Sequence, residues 1–245
     1  MKEFGLIGKT LKHSFSKNFF TEKFQNEGTE AHYELFELPS ISDFPELIKK
    51  HELYGLNVTI PYKEEVMQYL DDIDEIAKGI GAVNTIKFIR SGSKTSLKGY
   101  NTDIIGFSDS IRPHLKDYHR KALVLGSGGA AKAIHYALHR MGIDTTTVSR
   151  QSKEGCFTYE DLDKEILDEY LLIVNCSPAG MFPNVEQSPN IPYELLSNRH
   201  FLYDLVYNPI HTKFCELGEK QGAFAMSGLE MLHGQAIASW KIWND

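Results

Sequence analysis

Six consecutive small residues, Gly126-Ser127-Gly128-Gly129-Ala130-Ala131, have the types and spacing that hold a pyrophosphate. They follow the run KALVL, which starts at Lys121, and lead into a segment whose apolar residues recur at Ala130, Ile134, Ala137 and Met141. That order predicts a strand, a tight turn and a helix. The first glycine permits the sharp turn, the second lets the backbone approach phosphate, and the small third residue lets the helix pack closely on the strand. The unpaired N–H groups of the helix start then face the anion. Gly142 ends the helix, and a second strand reads TTTVS up to Arg150.

What that second strand lacks decides which dinucleotide fits. An NAD site of this kind carries an acid about 20 residues past the first glycine, where it binds the adenine ribose. Here the stretch is Thr145, Thr146, Thr147, Val148, Ser149, Arg150, with no carboxylate. A guanidinium fork suits the oxygens of a 2′-phosphate. The expected cofactor is therefore NADP(H). Arg150 alone would equally suit a surface residue after a buried strand, and it is the glycine loop one strand earlier that favours the functional reading.

A second set of polar residues lies at the ends of predicted elements. Asn57, Thr59 and Lys63 close a strand read over Leu56 to Ile60, where Pro61 stops further ladder bonding. Ligands bind at strand carboxyl ends in open α/β sheets. Asn84 and Thr85 sit inside a strand read over Ala82 to Ile89. Asn101, Thr102 and Asp103 open a helix, and Ser14 and Ser16 flank Phe15 before another. Singly, each has an ordinary structural role as a cap, a dipole partner or a satisfied core amide. His13 reads as structural rather than catalytic. Together they supply hydroxyls, amides, one cation and one carboxylate, a set suited to a polyhydroxylated small molecule.

The elements that must position these groups alternate. Strands are read at Phe4 to Gly8 and His32 to Leu38, besides those above, with helices at Ser16 to Gln25 and Ile41 to His51. The second helix is entered through Ser42 with Glu46 following. Strands at 171–175 and 201–206 follow the nucleotide unit. The last segment places Leu229, Leu232, Ala236, Trp240 and Trp243 at helical spacing. Such alternation implies an α/β fold with a largely parallel sheet. The expected division is a substrate-binding domain of residues 1–102 and 228–245, to which the last helix returns, and a Rossmann-type NADP-binding domain of residues 103–227.

A net charge of −7 without a basic run argues against nucleic acid or anionic membrane as a partner. The spacing of Cys156, Cys176 and Cys215 suits neither a metal site nor a disulfide framework, and no metal is expected. No segment reaches membrane length and the N-terminal apolar run is too short for a signal peptide, so a cytoplasmic location is expected.

Several of these segments occur together, in order, in one known family. The chain resembles shikimate dehydrogenases in His13-Ser14-Phe15-Ser16, in NVTIPYK from Asn57 to Lys63, in GAVNT from Gly81 to Thr85 and in NTD from Asn101 to Asp103. The resemblance continues through GSGGAA, VNCSPAGM ending at Met181, DLVYNP from Asp204 to Pro209 and GLEMLHGQA from Gly228 to Ala236. It implies an oxidoreductase acting on a CH–OH group, the NADPH-dependent reduction of 3-dehydroshikimate to shikimate in chorismate and aromatic amino acid biosynthesis. By the family pattern Ser14, Ser16, Thr59, Lys63, Asn84, Asp103, Tyr207 and Gln235 bind substrate. Lys63 and Asp103 form the catalytic pair, and Gly126, Ser127, Gly128, Gly129, Ala130, Ala131, Ser149, Arg150, Leu205 and Gly228 contact the cofactor.

The chain departs from the pattern at Lys17, where proline is usual, at Phe19, often histidine, and at Ser149, usually asparagine. It also stops just past Trp243, where many relatives continue with a further helix, which leaves monomer and homodimer open. A lysine beside a carboxylate stays charged, so Lys63 is expected to act as a cationic proton donor in the reducing direction. Two alternatives share these residues: a quinate/shikimate dehydrogenase-like paralogue, which the missing acid disfavours, and a non-catalytic NADP-binding regulator, which Lys63 and Asp103 disfavour.

Overall fold

The computed structural model describes residues 1–11, 14–92 and 94–245; the expectation made for His13 lies outside them. The chain divides into two compact units, Met1–Thr102 with Ala236–Asp245, and Asp103–Gln235.

The first unit runs β1 (Lys2–Gly8), α1 (Phe15–Asn26), β2 (Ala31–Glu37), α2 (Phe44–Lys50), β3 (Leu53–Val58), β4 (Asp72–Ile73), α3 (Glu75–Ile80), β5 (Thr85–Ser91) and β6 (Lys94–Tyr100). Its sheet has the order β2-β1-β3-β5-β6-β4. β1 runs parallel to β2 and β3, placing Ile7 beside Phe36 and Val58, whereas β5 is antiparallel to both β3 and β6. This sheet is therefore mixed, because β5 and β6 form a hairpin, of which the sequence reading assigned only the first strand. A core of Leu53, Leu56, Val58, Val66, Val83 and Ile86 covers one side. On the other, Phe4, Phe20, Phe24 and Tyr33 pack against Ala236 and Trp243 of the last helix. Gly55 makes this possible: a Cβ there would lie 2.3 Å from the Trp243 ring nitrogen, which donates to the Ile86 carbonyl at 3.0 Å.

Two boundaries differ from expectation for local reasons. Proline lacks an N–H and suits a first helical turn, so Pro45 sets the start of α2 at Phe44. Asp43 rather than Ser42 precedes α2, without a side-chain cap bond, and the capping box belongs to Ser40 at the head of the 3-10 turn Ile41–Asp43, where the Asp43 carboxylate accepts from the Ser40 N–H at 3.4 Å. β3 begins earlier than read and ends at Val58, because the chain turns at Thr59, whose carbonyl accepts from the Tyr62 N–H at 3.0 Å.

The second unit runs α4 (Asp103–Ile111), β7 (Lys121–Leu125), α5 (Gly129–Arg140), β8 (Asp144–Ser149), β9 (Cys156–Thr158), α6 (Lys164–Glu169), β10 (Leu172–Asn175), β11 (Phe201–Asp204), α7 (Lys213–Glu219) and β12 (Phe224–Ser227). The last helix, α8 (Leu229–Asn244), contributes Leu229 to Gln235 to this unit and its remainder to the first. The sheet order is β12-β11-β10-β7-β8-β9, all parallel. Its central strands are buried on both faces, as parallel sheets covered by helices require. No described helix is long and apolar enough to cross a membrane.

Candidate active site

In the first unit the polar residues join one hydrogen-bonded network. The Tyr33 hydroxyl accepts from Ser16 and donates to Asn57 Oδ1 at 2.8 Å; burial pushes its pKa well up, and the Ser16 bond opposes that rise. Asn57 Nδ2 donates to Ser239 Oγ at 2.9 Å, with Thr85 Oγ1 and the Asn84 carbonyl each at 3.3 Å. Asn84 Oδ1 accepts from the Thr102 N–H at 2.7 Å and from the Thr102 and Thr85 hydroxyls at 3.1 Å. Asn84 is 2% exposed, and Thr85 and Thr102 are fully buried. Asn84 lies just before β5 rather than inside the strand.

Thr59 and Lys63 sit in the turn that leaves β3. The Thr59 N–H donates to the Ile7 carbonyl at 2.9 Å, and the Lys63 carbonyl accepts from the Val83 N–H at 2.7 Å. Both side chains are half-buried. Ser14 Oγ is buried with no hydrogen-bond partner among the described residues, an acceptor and donor ready for a ligand group. At the two departures in α1, Lys17 pairs with Glu34 at 2.8 Å, and Phe19 stacks on Phe15 with ring centroids 5.5 Å apart.

Tyr33 and Ser239 belong to this network although the reading of the residues did not select them. Ser239 could have been noticed. It falls with Leu232, Ala236 and Trp243 on the buried stripe of α8, where a hydroxyl is out of place unless hydrogen-bonded.

In the second unit Asp103 begins α4 and is 2% exposed. It lies close enough to Cys176, just past β10, to help raise that thiol's pKa; burial is the larger cause, followed by Asp204 and then Asp103. Asn175 and Asp204 tie the ends of β10 and β11 together. Asn175 Nδ2 donates to Asp204 Oδ1 at 2.8 Å, while its Oδ1 accepts from the Ser177 N–H and hydroxyl at 3.0 and 2.7 Å. Asp204 also accepts from the Val206 N–H at 3.0 Å and the Thr212 hydroxyl at 2.6 Å. The Leu205 N–H donates to the Asn175 carbonyl at 2.9 Å, and a Cβ on Gly228 would stand 2.5 Å from the Leu205 carbonyl oxygen. Burial pushes the Tyr207 hydroxyl up as well. Tyr207 and Gln235 belong to this unit, with Leu205 and Gly228.

Burial pushes the Asp204 carboxyl up to about 6, against the pull of its three donors. The folded protein therefore keeps this proton to higher pH than the unfolded chain. Its contribution is most favourable below about pH 4, falls by on the order of 3 kcal/mol as pH rises to about 6, and is constant above that. Urea titrations of wild type and Asp204→Asn should show their difference in unfolding free energy changing by that amount across the window. A pH-independent difference would sink the assignment.

The glycine turn has the form a nucleotide needs. Gly126 adopts φ +115°, where a Cβ would meet the Cys176 carbonyl carbon at 3.3 Å, and its N–H donates to the Val148 carbonyl. Gly128 caps α5, and nothing lies within 4 Å of the place its Cβ would take, so an anion can approach there. Gly129, Ala130 and Ala131 form the first turn of α5, whose N–H groups have no partners within the helix. His135 holds α5 on β8 through the hydroxyls of Thr145 at 2.7 Å and Thr147 at 2.9 Å. β8 ends at Ser149, whose hydroxyl bonds the Gln151 carbonyl. Arg150 follows, exposed, beside Tyr159 and in no ion pair among the described residues. These residues fit a phosphorylated dinucleotide.

Relatives share both halves of this arrangement. Residues 6–86 match the family described as the shikimate dehydrogenase substrate binding domain. A shikimate dehydrogenase (NADP(+)) from Caldicellulosiruptor saccharolyticus is 38% identical over 100% of this chain and 93% of its own. A chorismate mutase/shikimate 5-dehydrogenase fusion protein from Clostridium acetobutylicum superposes with a TM-score of 0.86 at 36% identity, covering 100% of this chain and 91% of that one. The Thermus thermophilus shikimate 5-dehydrogenase, solved with NADP(H) and shikimate, gives 0.86 at 28% identity, covering 99% and 93%. With the nucleotide turn, the Asn57-to-Lys63 segment and identity of this extent over its whole length, the chain belongs to the shikimate dehydrogenase family.

Proposed function

We propose that this protein catalyses the reversible, NADP-dependent interconversion of shikimate and 3-dehydroshikimate, within chorismate and aromatic amino acid biosynthesis. The observation that carries the reading is its full-length relation to NADP-dependent shikimate dehydrogenases. In this reading the second unit binds the cofactor. Ser14, Ser16, Thr59, Asn84, Tyr207 and Gln235 hold the substrate's hydroxyl and carboxylate groups. Gly126, Ser127, Gly128, Gly129, Ala130 and Ala131 cradle the pyrophosphate, Arg150 receives the 2′-phosphate, and Ser149, Leu205 and Gly228 also contact the cofactor.

The bound nicotinamide supplies the two-electron redox chemistry. Lys63 supplies the proton. As an ammonium it donates to the oxygen that becomes a hydroxyl during reduction, and as an amine it accepts that proton during oxidation. Asp103 orients the same hydroxyl. The cysteines, all free, suit a reducing cytoplasm, and the net charge of −7 suits small-molecule rather than nucleic-acid partners.

Absorbance at the nicotinamide band tests the proposal. Shikimate or quinate is offered with NADP⁺ or NAD⁺, and turnover is expected mainly with shikimate and NADP⁺. Faster turnover of quinate with NAD⁺ would replace the reading by the quinate alternative, and no turnover with any pair would leave a non-catalytic binder. Arg150→Ala should raise the KM for NADP⁺ by roughly tenfold to a hundredfold, the worth of a charge-assisted phosphate contact, and leave that for NAD⁺ unchanged. Equal effects on both would end the role of Arg150 as reader of the 2′-phosphate.

A further inference from the structure

A pocket of about 300 Å³ opens in the second unit beside Phe201 and Phe224, the first residues of β11 and β12. Leu205 and Gly228, read as cofactor contacts, follow the last residues of those strands, so the pocket lies at the other end of the sheet. Its lining joins two cations, Lys116 and Arg199, to the rings of Tyr118, His114 and Phe224, and among the described residues it contains no Asp or Glu.

Two buried histidines hold the walls. The Lys116 N–H donates to His119 Nδ1 at 3.0 Å, so the proton of this ring sits on Nε2, which donates to the Arg199 carbonyl at 3.1 Å. In the same way the Ser197 N–H donates to His200 Nδ1 at 3.0 Å, and His200 Nε2 donates to the Leu167 carbonyl at 2.9 Å. Both rings are neutral clamps that fix the turns carrying Lys116 and Arg199. Burial pushes the His119 pKa down, and the charges of Lys116 and Arg199 add to that fall, so both cations lie near the one ring.

The protein itself neutralises neither cation. Among the described residues Lys116 and Arg199 make no ion pair, and nor does Asp117, the acid next to Lys116. The Arg199 guanidinium lies over the Tyr118 ring, 5.2 Å from its centroid. Stacking uses the guanidinium face and leaves the N–H groups in its plane to fork onto a carboxylate. On the apolar side the His114 and Phe224 rings are 5.0 Å apart and tilted by 32°, and Phe224 rests on buried Phe201 at 5.0 Å. Phe224 and Tyr118 are both exposed, so their rings are open to a ligand.

We propose that this pocket binds a monocyclic aromatic carboxylate, its ring against Phe224 and His114 and its carboxylate between Arg199 and Lys116. The site is independent of the reaction proposed above.

Phenylacetate is the probe, titrated against the full chain and followed by ligand-observed NMR. It should bind saturably with a Kd on the order of 1 mM, and equally well with or without NADPH and shikimate, which together cannot turn over. Phenylacetamide, which lacks the charge, and acetate, which lacks the ring, should each bind about tenfold more weakly or worse. Arg199→Gln and Lys116→Gln should each weaken phenylacetate by about tenfold or more. Both side chains are exposed, so the melting temperature and shikimate turnover should stay at wild-type values. Absence of saturable binding, displacement by shikimate, equal affinity for phenylacetamide, or full affinity in both variants would each overturn the proposal. Binding is read without turnover, so absence of the proposed dehydrogenase activity would be seen separately.

Discussion

Lys63→Ala should lose turnover of shikimate by about 10²- to 10⁴-fold, the usual range for a positioned proton donor or acceptor, with only a modest rise in KM. The surroundings of Lys63 make the result interpretable as chemistry. Its main-chain carbonyl is held by the Val83 N–H at 2.7 Å. The preceding Tyr62 is buried, with its hydroxyl donating to the Leu38 carbonyl at 2.5 Å. Neither bond involves the lysine side chain, so the turn should survive the substitution. Asp103→Ala should differ in kind and impair both kcat and KM, because a carboxylate that orients a substrate hydroxyl contributes to binding as well as to the reaction. Steady-state rates near wild type for Lys63→Ala would remove this residue from the proton transfer.

Gly106→Ala should destabilise the protein by about 2–4 kcal/mol, lowering the melting temperature by roughly 5–10 °C for a chain of this size. Two effects oppose each other here. Alanine is the better helix former by about 1 kcal/mol, and an isolated α4 would gain from it. Yet a Cβ at this position would stand 2.3 Å from the Met231 carbonyl oxygen and 2.8 Å from the Gln235 nitrogen. Gly234 faces back, and its Cβ would lie 3.0 Å from the Gly106 Cα. These are main-chain atoms of α8, which no rotamer change can move, so the clash outweighs the propensity. A calorimetric scan showing unchanged or raised stability would refute so close an approach of the two helices. The same substitution should reduce activity, since α4 carries Asp103 at its first residue.

The parts legible in the sequence were those whose physics is local. A strand, a glycine turn and a helix over Lys121 to Arg140 depend on neighbours within a few residues, and β7 and α5 lie where the pattern predicts. β6 escaped because KTSLKGY reads as a polar stretch. Its strand character comes from pairing along its whole length with β5, Ser91 opposite Lys94 through Thr85 opposite Tyr100. β12, four residues at the rim of the second sheet, gives too short a pattern to detect. The candidate site divides in the same way. Motif segments gave Asn84 and Lys63, but the partners of Ser239 lie 137 to 182 residues away in the chain, and no window of sequence contains that relation. The roles of Lys63 and Asp103 came from resemblance; composition and spacing alone offered ordinary structural uses for both.

The aromatic cluster that includes Phe4, Phe20, Phe24 and Tyr33 is completed by residues of α8, Ala236, Trp240 and Trp243 among them. During translation, therefore, the earliest-synthesised unit waits with these rings uncovered until the final turns of α8 leave the ribosome. The second unit, whose residues are contiguous, can collapse before that moment. Exposed apolar surface of this kind is what aggregation and chaperones act on, so the interval between synthesis of Tyr33 and of Trp243 is when this polypeptide is most vulnerable in the cell.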